Sequence, residues 1–228
     1  MFLTSGFLDG RLWFWWDRIE YIFERTRHHR VETSIGDQSW SATWTDLPSR
    51  RRVQLELTER CKRIPDAAKH ATIARVAARA EVELPEAPPA SCAPMSWDEA
   101  RAAEARGMTF GPHTLTHPIL SQTPDAQSRE ELTGSWQRLT EELRQPDPVF
   151  CYPNGGSEDF GMREIDTLRA SGMIGAVVGA PGYLDATRFR SSPSAPYLVE
   201  RFGLPDALPV MAQYAAGVER LKQLVRGR

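Results

Sequence analysis

From residue 97 to residue 178 the chain alternates helical patterns with short apolar runs three times over. Ser96-Trp97-Asp98-Glu99 forms a capping box, Ser96 as N-cap and Glu99 at the third helical position, and predicts a helix to Arg106 that Gly107 closes. Met108–Gly111 follows as a strand. Thr123 and Pro124 open a long helix to Arg144. Val149–Tyr152 is a strand, Asp159–Ser171 a helix stopped by Gly172, and Ile174–Val178 a third strand. Strands alternating with helices in this way form a parallel sheet, so the fold class is α/β.

The flanking segments are less regular. Phe2–Ser5 reads as a short buried strand with no earlier element to pair with. Trp13 to His28 has helical spacing of aromatic and aliphatic residues, with charges between them, and is expected to pack an aromatic face into the core. Val31–Ile35 and Gln38–Trp44 read as two strands around Gly36-Asp37. Helices follow over about 49–63, ended by Pro65, and 66–82. Leu84–Pro94 contains four prolines and reads as an extended connector. Tyr197–Phe202 is expected as a last strand, and Asp206–Val225 as mostly helical.

Composition excludes several classes of function. The 228 residues suit a single domain over 1–228, and 41% hydrophobic with 25% charged residues is the balance of a folded chain. A net charge of −2 argues against nucleic-acid binding by bulk charge, and Arg50-Arg51-Arg52 reads as a solvated helix face. No apolar run reaches about 18 residues, so no membrane span is expected. Met1–Gly10 lacks a basic start and is broken by Asp9, so the chain as written reads as cytoplasmic. Cys61, Cys92 and Cys151 have unrelated spacings and suit free thiols.

Two segments carry chemistry. In His113-Thr114-Leu115-Thr116-His117, Gly111-Pro112 before and Pro118 after exclude a helix body, and no Glu follows the first histidine as a helical zinc-protease pair requires. The pair lies at the C-terminal end of a strand, where parallel α/β folds place their active sites. It reads either as two ligands for a divalent ion, Zn²⁺ first, or as locally hydrogen-bonded loop histidines. Phe150-Cys151-Tyr152-Pro153-Asn154-Gly155-Gly156 is a strand leading into a flexible turn, which suits either backbone N–H groups facing an oxyanion or an ordinary strand exit. Cys151, between two aromatics, reads as buried and inert. His28, His29 and His70 read as surface residues.

Together these motifs resemble the polysaccharide deacetylase family (NodB-homology domain, carbohydrate esterase family 4). Gly6-Phe7-Leu8-Asp9-Gly10, Trp15-Trp16-Asp17 and Ser171–Val178 are similar to further segments of it. The resemblance implies a distorted, incomplete (β/α) barrel and hydrolytic removal of acetyl groups from a polysaccharide or oligosaccharide. It implies His113 and His117 as metal ligands, with the metal polarising the acetyl carbonyl and activating water. It implies the backbone N–H of Tyr152 as oxyanion donor, and Pro153, Asn154, Gly155 and Arg201 as substrate-binding residues.

Two departures stand out. The family's opening Thr-Phe-Asp-Asp strand, which holds the base and the third metal ligand, has no counterpart, so the domain reads as N-terminally incomplete. The late Leu-x-His is also missing. Arg201 stands in that region, and arginine can stabilise charge but is a poor proton donor. The chain therefore reads as a deacetylase, in truncated and inactive form if nothing restores the lost groups. The alternatives are a non-catalytic glycan-binding homologue, or an α/β scaffold with incidental histidines.

Overall fold

The computed structural model describes residues 1–184, 186–203, 205–218 and 221–222. The expected final helix over 206–225 therefore lies partly outside the described residues; α9 (Leu208–Ala215) is the part seen.

The chain opens with β1 (Phe2–Leu3), α1 (Ser5–Leu8) and α2 (Trp15–Arg25). Next come β2 (Arg30–Ile35) and β3 (Gln38–Thr43), an antiparallel hairpin in which Ile35 pairs with Gln38 across Gly36-Asp37. Gly36 has a positive φ, which this tight turn requires. Helices α3 (Leu47–Cys61) and α4 (Asp66–Arg79) pack against the hairpin and α2. Ile19, Ile22, Phe23, Trp40, Trp44, Leu57 and Ile73 form the core between them.

The second half follows the expected alternation: α5 (Trp97–Glu104), β4 (Gly111–Pro112), α6 (Asp125–Glu142), β5 (Val149–Cys151), α7 (Met162–Ala170) and β6 (Gly175–Val177), with α8 (Ala186–Ser191) beyond. The Ser96–Glu99 capping box is present, each partner bonding the other's backbone. β5 and β6 are parallel neighbours, and Val199 adds a single parallel bridge to Val177. The expected strand over Tyr197–Phe202 is reduced to that bridge, because Ala195–Tyr197 winds into a 3₁₀ turn.

β1 pairs in parallel with β4, Phe2 opposite Gly111 and Leu3 opposite Pro112. The strand at residue 2 thus has a partner 109 residues on in sequence. β4 is shorter and later than the expected Met108–Gly111, since the Met1 amine already takes the Thr109 carbonyl at 2.6 Å. β4 also lies against β5: the Asp147 N–H reaches the Phe110 carbonyl, and a Cβ on Gly111 would meet the Val149 carbonyl at 2.4 Å.

Among the described residues the strands form short pairs rather than a closed barrel. α6 begins one residue later than expected. Thr123 does not cap it; its hydroxyl donates to the Leu120 carbonyl instead. Leu3, Trp97, Phe110 and Leu139 pack between β1, α5 and α6, while Phe150, Tyr152, Ile165 and Leu168 fill the space beneath β5 and β6.

Candidate functional site

His113 leaves the C-terminal end of β4. Its N–H donates to the Leu3 carbonyl at 3.0 Å, which extends the β1–β4 ladder into the site. Its ring Nδ1 lies 2.6 Å from the Cys151 carbonyl. A carbonyl can only accept, so this contact assigns the proton to Nδ1 and leaves Nε2 as the free lone pair.

Thr114 and His117 both adopt positive φ, at 66° and 58°. Such values are unusual for residues with a Cβ and need outside support. The Thr114 hydroxyl supplies part of it, accepting the His117 N–H at 3.0 Å and donating to the His113 carbonyl. The tight turn brings the two imidazoles to a centroid distance of 4.7 Å, edge to face.

Burial pulls the His113 ring down to about 4, with its bond to the Cys151 carbonyl opposing and the Arg201 charge assisting. Burial, with His113 next to it, pulls His117 down to about 3. Both rings are therefore neutral near pH 7, the state in which imidazole binds metal. The Nδ1 of His117 is buried and has no hydrogen-bond partner. A buried ring nitrogen without a hydrogen-bond partner, beside a second free imidazole nitrogen, fits a divalent ion when it presents its lone pair. Among the described residues no third His, Cys, Asp or Glu completes the cluster, whereas a catalytic zinc usually takes three protein ligands.

An aromatic wall stands over the pair. Phe14 and Trp16 stack at 4.4 Å and present their rings to His117 at 5.7 and 4.6 Å, and Phe7 extends the wall beyond Phe14. These residues, Leu3 and the connector residues Pro94 and Met95 line an open cleft of about 370 Å³ that both histidines also line. The expected apolar helix face is buried at Ile19, Ile22 and Phe23, while Trp16, expected on that face, is half-buried at the site, and Trp13 is buried ahead of the helix.

The strand-exit residues divide. The Tyr152 N–H donates to the Val177 carbonyl at 3.2 Å, so the β5–β6 ladder takes the group expected to face an oxyanion. Its ring is fully buried and stacked on Phe160 at 3.7 Å. Pro153 has no N–H, and Asn154, at φ 55°, is the next residue with one. Among the described residues that N–H has no partner. Gly155 is structural: a Cβ there would lie 2.4 Å from the Gly179 nitrogen, and the two glycines are bonded through Gly179 N–H and Gly155 carbonyl at 2.7 Å.

Arg201 does reach the site. Its guanidinium lies 3.1 Å from the Cys151 sulfur, on the residue whose carbonyl holds His113. Cys151 is a free, buried thiol that burial pushes up, as its setting between aromatics suggested. His28 and His29 are exposed and remote from the pair, and His70 is half-buried.

Sequence reasoning missed Glu131 altogether. It lies on the buried stripe of α6 with Ser128, Leu132, Ser135 and Leu139, and touches the histidine turn. A carboxylate on the apolar stripe of a helix was the available signal.

Residues 66–165 match the polysaccharide deacetylase family. The matched segment runs from α4 into α7 and contains both histidines, Glu131 and the Tyr152-Pro153-Asn154-Gly155 turn. A Streptococcus pyogenes deacetylase, PplD, solved with acetate, is 21% identical with a TM-score of 0.46 over 55% of this chain and 52% of that one. A de-N-acetylase from Aggregatibacter actinomycetemcomitans is 13% identical with a TM-score of 0.43 over 56% and 55%. The chain thus spans about half the length of these solved structures. No curated protein matches the sequence.

Proposed function

We propose that the chain carries the histidine half of a hydrolase that removes acetyl groups from a polysaccharide or oligosaccharide. The observation behind this reading is the pair of neutral imidazoles, His113 and His117, lining one aromatic-walled cleft and lying inside the deacetylase-matched segment. His113 through Nε2 and His117 through Nδ1 would hold a divalent ion, Zn²⁺ first, which would supply Lewis-acid polarisation of the acetyl carbonyl.

The rest falls to protein groups. Trp16 and Phe14 offer a flat apolar surface for the acetyl methyl or a sugar face. With the Tyr152 N–H taken by the β5–β6 ladder, the Asn154 N–H, next along the strand exit, would be the backbone donor for the carbonyl oxygen as it gains charge. Arg201 is a fixed positive charge near His113. In the overall reaction the oxygen of water bonds to the acyl carbon and the bond to sugar nitrogen or oxygen breaks. Acetate and the protonated leaving group are the products.

On this reading the paired strands are an open arc of the family's (β/α) barrel. No nucleic-acid partner is proposed, and no helix among the described residues is long and apolar enough to cross a membrane. A second reading, glycan binding without turnover, is favoured by the lack of a carboxylate with the histidine pair among the described residues. Acetate release from acetylated chitooligosaccharides, with and without added Zn²⁺, decides between them. Release that requires metal and vanishes in His117→Ala supports hydrolysis. Binding of the oligosaccharide without release supports the second reading, and neither binding nor release rejects both.

A further inference from the structure

The turn between the two histidines is held from two sides. Its carbonyls face the N-terminal segment, where the Ser5 N–H donates to Thr114 at 3.2 Å and the Gly6 N–H to Leu115 at 3.0 Å. Its N–H groups face α6. One oxygen of the Glu131 carboxylate accepts both the Leu115 N–H at 2.8 Å and the Thr116 N–H at 2.9 Å, and the other oxygen accepts the Thr116 hydroxyl. Glu131 is only 4% exposed, so its carboxylate depends on these donors for the hydrogen bonds that water would otherwise supply. One helical turn on, Gly134 leaves room for the Leu115 side chain, which a Cβ there would meet at 2.9 Å.

We propose that Glu131 is the positioning residue of the site, fixing the approach of His113 and His117 by holding the turn between them from the α6 side. Thr114 and His117 sit at positive φ on either side of the two residues that Glu131 grips. Such a backbone persists only where its surroundings over-determine it. Removing the carboxylate takes the acceptor from two N–H groups and a hydroxyl at once, and the turn loses its anchor to α6. Movement of three residues between two rings 4.7 Å apart changes the geometry of both nitrogens.

The acceptor role, not the charge, is what the geometry uses. Glutamine preserves it: the amide oxygen takes both N–H bonds, and the amide nitrogen donates to the Thr116 hydroxyl. Leucine keeps the bulk and removes every bond.

The proposal rests on the histidine pair being the site, but its test does not need metal. The experiment compares the parent, Glu131→Gln and Glu131→Leu by amide hydrogen exchange and by the imidazole resonances of His113 and His117, on the metal-free full chain. Glu131→Gln is expected to match the parent. Glu131→Leu is expected to lose at least about tenfold protection at Leu115 and Thr116, with shifted resonances for both rings and unchanged protection in β5. Zn²⁺ titration of the same proteins is expected to weaken about 10- to 100-fold in Glu131→Leu alone.

Parental ring resonances in Glu131→Leu, or equal losses in the Gln and Leu variants, would overturn the proposal. Glu131→Ala replaces the Leu variant if the latter does not fold. A parent that binds no Zn²⁺ would sink the proposed chemistry while leaving the exchange and resonance data to judge Glu131.

Discussion

Gly6 lies where the first strand meets the histidine turn, and replacing it with alanine tests how tightly that turn is held. A Cβ at Gly6 would stand 2.5 Å from the Leu115 carbonyl oxygen and 3.4 Å from its carbon. Ordinary contacts need about 3.4 Å or more, so the turn or α1 must retreat by nearly an ångström. The Gly6 N–H bond to that same oxygen stretches with it.

Overpacking of this kind costs about 1–3 kcal/mol, and the weakened bond adds up to about 1 kcal/mol. For a chain of this size, about 2–3 kcal/mol lowers Tm by roughly 4–12 °C. Thermal melts of Gly6→Ala against the parent measure it, with Gly203→Ala as control, because a Cβ there meets nothing within 4 Å. The same variant is expected to shift the His117 ring resonances. If Gly6→Ala melts with the parent and leaves His117 unmoved, the close packing of α1 on the histidine turn is wrong.

Other outcomes follow from the same contacts. Asp9 accepts from both Arg138 and the Trp97 indole, and tethers the end of α1 to α5 and α6. Burial raises its pKa, but these bonds and charges outweigh burial, so the folded value lies below the unfolded one. Its contribution is therefore complete above about pH 4 and lost as pH falls through the depressed folded value. Urea melts at several pH values should show Asp9→Asn flattening the acid side of the stability curve, and an unchanged acid limb would refute the tether. Asp9→Ala at pH 7 should cost about 1–2 kcal/mol, because the Trp97 indole loses its acceptor while Arg138 keeps Glu141 and Glu142. Tyr152→Phe removes a buried hydroxyl that has no partner, so urea denaturation should find it within about 0.5 kcal/mol of the parent or more stable. Gly155→Ala combines a φ of 74° with a Cβ 2.4 Å from a backbone nitrogen, and should lower stability by more than about 2 kcal/mol in the same assay.

The placement of the histidine turn was legible in the sequence. Gly111-Pro112 and Pro118 bracket the histidines and force a turn, and apolar runs between helices place that turn at a strand end. What stayed hidden depends on contacts distant in sequence. The Tyr152 N–H is engaged because Cys151 pairs with Val177, a pairing between segments 26 residues apart that the strand's own residues do not show. Trp16 meets His117 and Phe14 from the edge of the buried face of α2, contacts made across the fold that the helical spacing alone does not reveal. The strand at Phe2 has no visible mate in sequence because Gly111 lies 109 residues away. Glu131 stands out among the apolar and small residues of its buried stripe, but the groups it holds, on Leu115 and Thr116, lie 16 and 15 residues earlier.

Zinc stoichiometry by equilibrium dialysis, on the parent and on His113→Ala and His117→Ala, tests most directly whether the two imidazoles form a metal centre. One ion per parent chain, lost in both variants while their folds persist by circular dichroism, is the predicted result. A parent that retains no zinc, or variants that retain it like the parent, would contradict the assignment of His113 and His117.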